Sequence, residues 1–156
     1  MFLTDETDIY TYFEIIERVE PDRILDVGMF LKRIGSVSRQ VKDKEILPGK
    51  QLTGVDFFPD FQCPVWSTVY NEIYKPDDFF VPDNKKEYEL AILFQMEQYI
   101  EKSKVASMWK WLSLHTKYLV TDWNIEIISN TISIPTEKEI RINEKSYRLI
   151  FFRELI

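Results

Sequence analysis

Cysteine and clusters of basic residues are scarce in this chain, and long apolar runs are absent. Cys63 is the one cysteine among 156 residues, so no internal disulfide can form, and a cytoplasmic location is expected. Residues 1–6 have neither the basic nor the apolar region of a secretion signal. Charged residues interrupt every apolar segment before it reaches the roughly 18 residues of a membrane span. A membrane partner is therefore not expected.

Acidic residues outnumber basic ones by 26 to 20, which gives a net charge of −6 at pH 7 with the single histidine neutral. Proteins that bind a nucleic-acid backbone rely on basic patches, because their binding releases counterions from the phosphates. No run of lysine or arginine occurs in this sequence. Nucleic acid is therefore not expected as a partner either.

Hydrophobic residues make up 45% of the chain and aromatic residues 15%, which is sufficient to close a globular core. The length of 156 residues matches one domain, since domains usually hold roughly 100 to 200 residues. No linker, internal repeat or low-complexity tract divides the chain. We expect a single domain over residues 1–156 without a separate substrate cap, and the sequence leaves a homo-oligomer open.

Apolar residues recur at two spacings along the chain. Helical spacing predicts helices over residues 5–19, from Ser36 to the Pro48-Gly49 pair, over residues 64–74 and from Ser103 onward. Short buried or alternating runs predict strands at residues 23–28, 51–56, 89–94, 118–122, 131–134, 139–142 and 147–152, with residues 78–81 as a further short strand.

The order of these elements predicts the fold class. Strands that alternate with helices form parallel βαβ units, which leave both faces of a sheet covered by helices. The last strands are separated by a turn at residues 143–146, which predicts an antiparallel hairpin. The expected class is α/β, with a mostly parallel sheet that a C-terminal antiparallel hairpin closes.

Candidate site residues follow from this architecture, because open α/β sheets bind ligands outside the carboxyl ends of their strands, where the strand order reverses. Those ends carry Asp26, Gly28, Asp56, residues 95–99 and residues 122–124. Glycine is scarce, with four residues where average usage gives about eleven. A glycine retained after the first strand therefore indicates a positive φ or the close approach of another group.

Three segments resemble class I S-adenosylmethionine-dependent methyltransferases. Ile24-Leu25-Asp26-Val27-Gly28 resembles the first motif, in which an acid stands two positions before a glycine beside the amino-acid moiety of the cofactor. Val55-Asp56 resembles the second motif, a strand-ending acid that hydrogen-bonds the ribose hydroxyls. Residues 88–98 resemble the fourth strand and the turn toward the substrate. The closing hairpin is also that family's topology, and the resemblance extends from about Ile9 to Phe152.

The resemblance implies a three-layer Rossmann-like sandwich with a twisted sheet. It implies binding of S-adenosylmethionine, with S-adenosylhomocysteine as product, and methyl transfer to a small-molecule or peptide acceptor. Such a transfer is accelerated largely by holding the acceptor close and aligned, so it needs neither a Ser-His-Asp set nor a metal. The implied cofactor contacts are Asp26, Gly28, Met29, Phe30, Asp56, Phe57, Asp77 and Gln95, and the implied substrate contacts are Glu97, Tyr99, Asp122 and Trp123.

The first motif departs from the family pattern. The family's turn is acid-x-Gly-x-Gly-x-Gly, whereas Phe30 and Lys32 occupy the second and third glycine positions. Either the loop is longer, with Gly35-Ser36 starting the helix, or Phe30 fills the space of the methionine part. The second case predicts a catalytically inactive methyltransferase-like module that serves protein–protein interaction. A nicotinamide-dependent oxidoreductase is disfavoured, because G-x-G-x-x-G is absent and the tail is a hairpin.

Some of these residues also have a purely structural interpretation. Asp26 and Asp56 end strands, where a carboxylate often accepts backbone N–H bonds. Asp122 and its neighbours can line a pocket or form a turn. His115, the one histidine, is expected to interact with the last carbonyls of its helix. Cys63 has no basic neighbour that would create a thiolate.

Overall fold

The computed structural model of this protein describes residues 7–30, 49–58, 70–124, 130, 132, 136–142 and 145–151. Helix α1 covers Thr7–Val19 and buries Tyr12, Ile15 and Ile16. The N–H of Glu20 still bonds the Ile16 carbonyl at 2.8 Å, and the helix stops there because Glu20 adopts a left-handed φ of 53°. The helix predicted over residues 5–19 is confirmed.

Seven strands of the described residues form one sheet in the order β3-β2-β1-β4-β5-β7-β6. Strands β1 to β5 run parallel, whereas β7 pairs antiparallel with both β5 and β6. The α/β class and the closing hairpin are therefore confirmed. The strands are β1 Arg23–Val27, β2 Gln51–Val55, β3 Glu72–Tyr74, β4 Tyr88–Leu93, β5 Thr116–Thr121, β6 Thr136–Ile142 and β7 Lys145–Phe151.

Helices cover both faces of the sheet. Helix α1 packs on one face, and helices α2 (Pro76–Phe79) and α3 (Lys102–His115) pack on the other. Side chains alternate along β1, so Ile24 joins the core under α1 and Leu25 joins the core under α3. Burying each such side chain stabilises the fold by roughly 1.5–3 kcal/mol.

Two predicted elements around β3 are wrong. Helical spacing over residues 64–74 predicts a helix up to Tyr74, but Glu72–Tyr74 is the parallel edge strand β3. Pairing with β2 overrides the local pattern, and Asn71 anchors it because its side chain and its N–H both bond the Leu52 backbone. The short strand predicted at residues 78–81 is replaced by α2, which Pro76 starts at its first position.

Other predictions fall outside the described residues. These are the helix from Ser36, the part of the 64–74 helix before Tyr70, and Lys32, Gly35 and Cys63. Most of the strand predicted at residues 131–134 and of the turn at 143–146 also lies there. In the described part of the chain, no helix combines the length and the apolar character needed to cross a lipid bilayer.

Candidate functional site

The strand order places the reversal point of the sheet between β1 and β4. From β1 the chain proceeds outward to β2 and β3 on one side, and β4 then pairs with β1 on its other side before β5 continues outward. Ligands of open α/β sheets bind at the carboxyl ends of the strands beside this point. The loops after β1, β2 and β4 therefore bound the candidate site.

An open groove lies at the carboxyl ends of β2 and β3. It has a volume of about 480 Å³, within the range of roughly 300–1,000 Å³ that is typical of small-molecule sites. We call it the carboxyl-edge groove. The described residues that line it are Asp56, Phe57, Lys75, Pro76, Asp77, Asp78, Tyr99, Ile100, Glu101 and Lys104.

A smaller recess of about 120 Å³ adjoins this groove and shares with it Phe57, Pro76, Asp77, Ile100 and Lys104. Its other described walls are Phe80, Ser107 and Met108, which are mostly apolar. At the groove, Tyr99 packs edge-on against Phe58, with ring centroids 5.2 Å apart. Flat apolar groups fit such walls better than extended polar chains.

The groove walls are predominantly acidic. Four carboxylates, those of Asp56, Asp77, Asp78 and Glu101, face two lysine ammonium groups. Lys104 pairs with Asp77 at 2.9 Å, and this pair is exposed. The hydrogen bond to Asp77 is the main reason why the pKa of Lys104 is raised. The remaining acids favour ligands that present hydroxyl donors or positive charge.

Asp56 is positioned by its own backbone turn. Its N–H donates to the Tyr74 carbonyl at 2.8 Å, which ties the end of β2 to β3. Its Oδ1 accepts the Phe58 N–H at 2.9 Å and closes an Asx turn. The carboxylate is thus held half-buried at the wall of the groove.

Asp26 lies in the core and has no exposed surface. Its Oδ1 accepts the Phe30 N–H at 2.9 Å, and its Oδ2 accepts the Tyr70 hydroxyl at 2.6 Å. The Tyr12 hydroxyl is also buried, outside hydrogen-bond geometry. Burial, followed by the charge of Asp26, raises the pKa of Tyr12 well above its usual value. In the described residues, Asp26 therefore faces the protein interior and Asp56 faces the groove.

Gly28 has a φ of 91°, which only glycine adopts without strain. A Cβ at this position would lie 2.5 Å from Sδ and 2.8 Å from Cγ of Met96. Met96 follows β4 and is fully buried. Gly28 therefore has both a positive φ and a close neighbour, which are the two reasons expected for a retained glycine. The close neighbour is the Met96 side chain of the same molecule.

Phe30 belongs to the core on the α1 side of the sheet, whereas Met96 belongs to the core on the opposite side. The Phe30 ring stacks on Tyr12 with centroids 5.7 Å apart and meets Phe94 edge-on at 5.3 Å. Met29 is buried too and approaches Gly54 of β2. The loops after β1 and β4 are thus packed together, by Met96 against Gly28 and by Phe30 against Phe94. We call this filled region, formed by Gly28, Phe30, Phe94 and Met96, the Gly28 crevice.

Gln95 and Asp122 are linked to each other at the ends of β4 and β5. Gln95 has a φ of 56°, and its N–H donates to Oδ1 and Oδ2 of Asp122 at 3.2 and 3.0 Å. Glu97 is exposed in the turn that follows. Trp123 is buried against Trp109, with centroids 5.3 Å apart. Neither Glu97 nor Trp123 is among the described residues that line the groove.

Solved structures with the same architecture include several that are distant in sequence. The N-methyltransferase NodS from Bradyrhizobium japonicum WM9 is 10% identical to this chain, with a TM-score of 0.56, and the match covers 94% of this chain and 96% of that one. The O-methyltransferase TomG from Streptomyces achromogenes, crystallised with S-adenosylmethionine, is 9% identical with a TM-score of 0.58, covering 95% and 80%. This chain has a class I methyltransferase fold.

A third structure with this methyltransferase fold is a protein from Nostoc punctiforme PCC 73102 assigned as an O-methyltransferase. It is 10% identical with a TM-score of 0.61, and 90% of this chain matches 54% of that protein, so the chain spans about half its length. No protein-family model matches the sequence, and no curated protein matches it either. At this level of identity, the likeness concerns the fold.

Within the methyltransferase fold, four of the residues expected at a site line the same groove: Asp56, Phe57, Asp77 and Tyr99. Sequence reasoning missed Lys104, and it included Met96 only within residues 95–99, without a role of its own. Lys104 lies in the first turn of α3, where the exposed face of a helix is indistinguishable from any other solvated surface. In the sequence, nothing distinguishes Met96 from other apolar residues. The retained glycine at position 28 indicated only that some group approaches Gly28 closely.

Proposed function

We propose that this chain binds S-adenosylmethionine or S-adenosylhomocysteine through the adenosine end, with methyl transfer to a small-molecule or peptide acceptor as its activity. The observation that supports this proposal is the carboxyl-edge groove, in which Asp56 ends β2 of a sheet with the methyltransferase strand order. The groove is where the general rule for open α/β sheets places a ligand.

The nucleoside part fits the groove. The Asp56 carboxylate can accept hydrogen bonds from vicinal ribose hydroxyls, because an ionised acceptor forms shorter and stronger hydrogen bonds than a neutral one. The recess beside Phe57, Pro76 and Met108 has the flat apolar walls that suit a purine ring. Asp77, at the rim, can accept from an exocyclic amine. We propose these roles for the residues in the positions described above, without rearrangement.

The amino-acid part does not fit the site as it stands. Met96 and Phe30 fill the Gly28 crevice, and Asp26 directs both carboxylate oxygens to groups of the protein itself. When bound, S-adenosylmethionine would supply an activated methyl group on a sulfonium. In the proposed function, Asp56 and Tyr99 hold the nucleoside, and the Gly28 crevice has to open before the amino-acid part of the ligand can bind.

The filled Gly28 crevice favours a second candidate function. If the crevice stays closed, the chain is a catalytically inactive methyltransferase-like module that serves protein–protein interaction. The two candidates differ in whether the folded chain binds an adenosyl compound at all, because the inactive module does not require one.

Thermal unfolding with added ligand separates them. A ligand that binds only the folded state at 100 times its dissociation constant adds about 2.7 kcal/mol, which for a chain of this size raises the melting temperature by roughly 5–10 °C. We expect such a rise with S-adenosylmethionine or S-adenosylhomocysteine and none with NAD. Asp56→Ala should abolish the rise.

Asp83→Ala is the matched control, because Asp83 is an exposed acid that is not among the described groove residues. Each variant is compared with its own ligand-free melting temperature, so a loss of intrinsic stability does not affect the comparison. A rise that survives in Asp56→Ala would contradict the proposed binding mode. The absence of any rise with both adenosyl compounds would favour the inactive module.

A further inference from the structure

The recess beside the carboxyl-edge groove offers a ligand few polar side chains. Of its three polar walls among the described residues, Ser107 donates its hydroxyl to the Lys104 carbonyl at 3.0 Å, within its own helix. The other two are the side chains of Asp77 and Lys104. Side-chain hydrogen bonds to a ligand in the recess are therefore left to these two residues. The remaining described walls are apolar: Phe57, Pro76, Phe80, Ile100 and Met108.

Asp77 and Lys104 form an ion pair that joins α2 to α3. The Lys104 ammonium donates to Oδ1 of Asp77 at 2.9 Å, and both side chains line the recess as well as the groove. An ammonium has three N–H donors and a carboxylate has two acceptor oxygens, so this contact uses one donor and one oxygen. The pair can therefore present a donor and an acceptor side by side to a ligand.

Adenine carries the complementary pattern. Its 6-amino group is a donor, and the ring nitrogens N1 and N7, one on each side of that group, are acceptors. A ring that directs its amine toward Asp77 can direct one of these nitrogens toward Lys104. The ion pair is exposed, and the mutual attraction of exposed pairs is weak. Either side chain can therefore turn toward a ligand at little cost.

Resting on the proposed function, we propose that Lys104 is a specificity-determining residue for the base. Lys104 donates a hydrogen bond to N1 or N7 of the purine, while Asp77 accepts from the 6-amino group. The recess thus selects 6-aminopurines in which that ring nitrogen is present. A purine with C–H in its place keeps the amine and the apolar contacts, but it loses the hydrogen bond from Lys104.

Isothermal titration calorimetry with adenosine, 1-deazaadenosine and 7-deazaadenosine tests this role. Each deaza analogue replaces one ring nitrogen by C–H and retains the amino group. The native chain should bind one analogue about fivefold or more weakly than adenosine, and that analogue identifies the nitrogen. Lys104→Met removes the ammonium from a side chain of similar length. Adenosine and that analogue should then bind within about twofold of each other.

Lys102→Met is the matched control, because Lys102 is an exposed lysine of the same helical turn and is not among the described residues that line either cavity. It should keep the native preference. If Lys104 only positioned Asp77, Lys104→Met would weaken all three nucleosides equally and leave the difference between them unchanged.

That result would overturn the inference, and so would a native chain that binds all three nucleosides with the same affinity. Both results leave the proposed function intact, because adenosine still binds to the native chain. If adenosine does not bind to the native chain, the proposed function and the role of Lys104 fail together.

Discussion

Tyr12 and Asp26 show, at the scale of single residues, how a strand-ending carboxylate is retained inside the protein. Asp26 is satisfied by the Phe30 N–H and the Tyr70 hydroxyl, whereas the Tyr12 hydroxyl is buried beside it without a hydrogen-bond partner. A buried hydroxyl without a partner destabilises the folded state. Tyr12→Phe should therefore leave stability near pH 7 unchanged or raise it by about 1 kcal/mol.

The pH dependence of the free energy of unfolding distinguishes the effect of the buried Tyr12 hydroxyl from a change of core packing in Tyr12→Phe. Because burial raises the pKa of Tyr12 above 10.0, the folded state binds the phenolic proton more tightly than the unfolded state does. Below pH 10 the hydroxyl is protonated in both states, so this linkage leaves stability unchanged. Above pH 10 the unfolded state releases the proton while the folded state retains it, so the free energy of unfolding decreases as the pH rises. From pH 10 to 11 the native chain should lose about 1 kcal/mol more than Tyr12→Phe in urea unfolding. Equal losses would contradict the account.

Gly28 and Met96 can be tested as a pair. Gly28→Ala places a Cβ at a φ of 91° and 2.5 Å from the Met96 sulfur, so it should destabilise the native chain by about 2 kcal/mol. In a Met96→Ala background the clash with the Met96 side chain disappears, and only the strain of the positive φ remains. Gly28→Ala should then reduce the free energy of unfolding by about 1 kcal/mol. Urea unfolding of the four proteins gives the coupling energy. Strict additivity would show that the two residues are not in contact.

At the scale of elements, the side chains of Thr121 and Asp122 join the ends of β4 and β5. Asp122 accepts the Gln95 N–H through both oxygens and thereby holds the strained turn. Asp122→Ala should reduce the free energy of unfolding by about 1 kcal/mol. Adding Gln95→Gly should recover part of that loss, because glycine adopts the positive φ without strain. A double variant that is less stable than Asp122→Ala would argue against strain at Gln95.

Elements with strong periodicity were predictable from the sequence, and elements set by tertiary pairing were not. Helix α1, the parallel strands and the hairpin follow from apolar spacing, since each buries one face or both. Strand β3 is three residues long, and its pairing with β2 and the Asn71 anchor outweigh a helical pattern that extends to Tyr74. Trp111 is buried against Phe79 and Phe80, and these contacts between α2 and α3 are likewise not contained in a local pattern.

The candidate site was predictable to a similar extent. Asp56 and Tyr99 follow the ends of β2 and β4, and the rule that ligands bind at carboxyl ends is sufficient to select them. Asp26 also ends a strand, but its orientation depends on the alternation of side chains along β1 and on Tyr70, which comes from a distant part of the chain. That information is not contained in the local sequence around Asp26.

At the scale of the whole molecule, the sheet separates two chemical environments. Asp26, Tyr12 and Phe30 belong to the closed side under α1, whereas Asp56 and the recess around Phe57 form the open side near α2 and α3. On β1 this division follows from the alternation of side chains, which turns Ile24 toward α1 and Leu25 toward α3. The central claim is that the open side recognises the nucleoside.

Amide chemical-shift mapping tests that claim most directly. With ¹⁵N-labelled protein and adenosine at millimolar concentration, the account predicts shifts at the backbone amides of Asp56, Phe57, Asp77 and Tyr99, and unchanged amides in the β6–β7 hairpin. Asp56→Ala should abolish these shifts. The claim would be contradicted if adenosine caused no shifts, or if the shifts were confined to residues away from the carboxyl-edge groove.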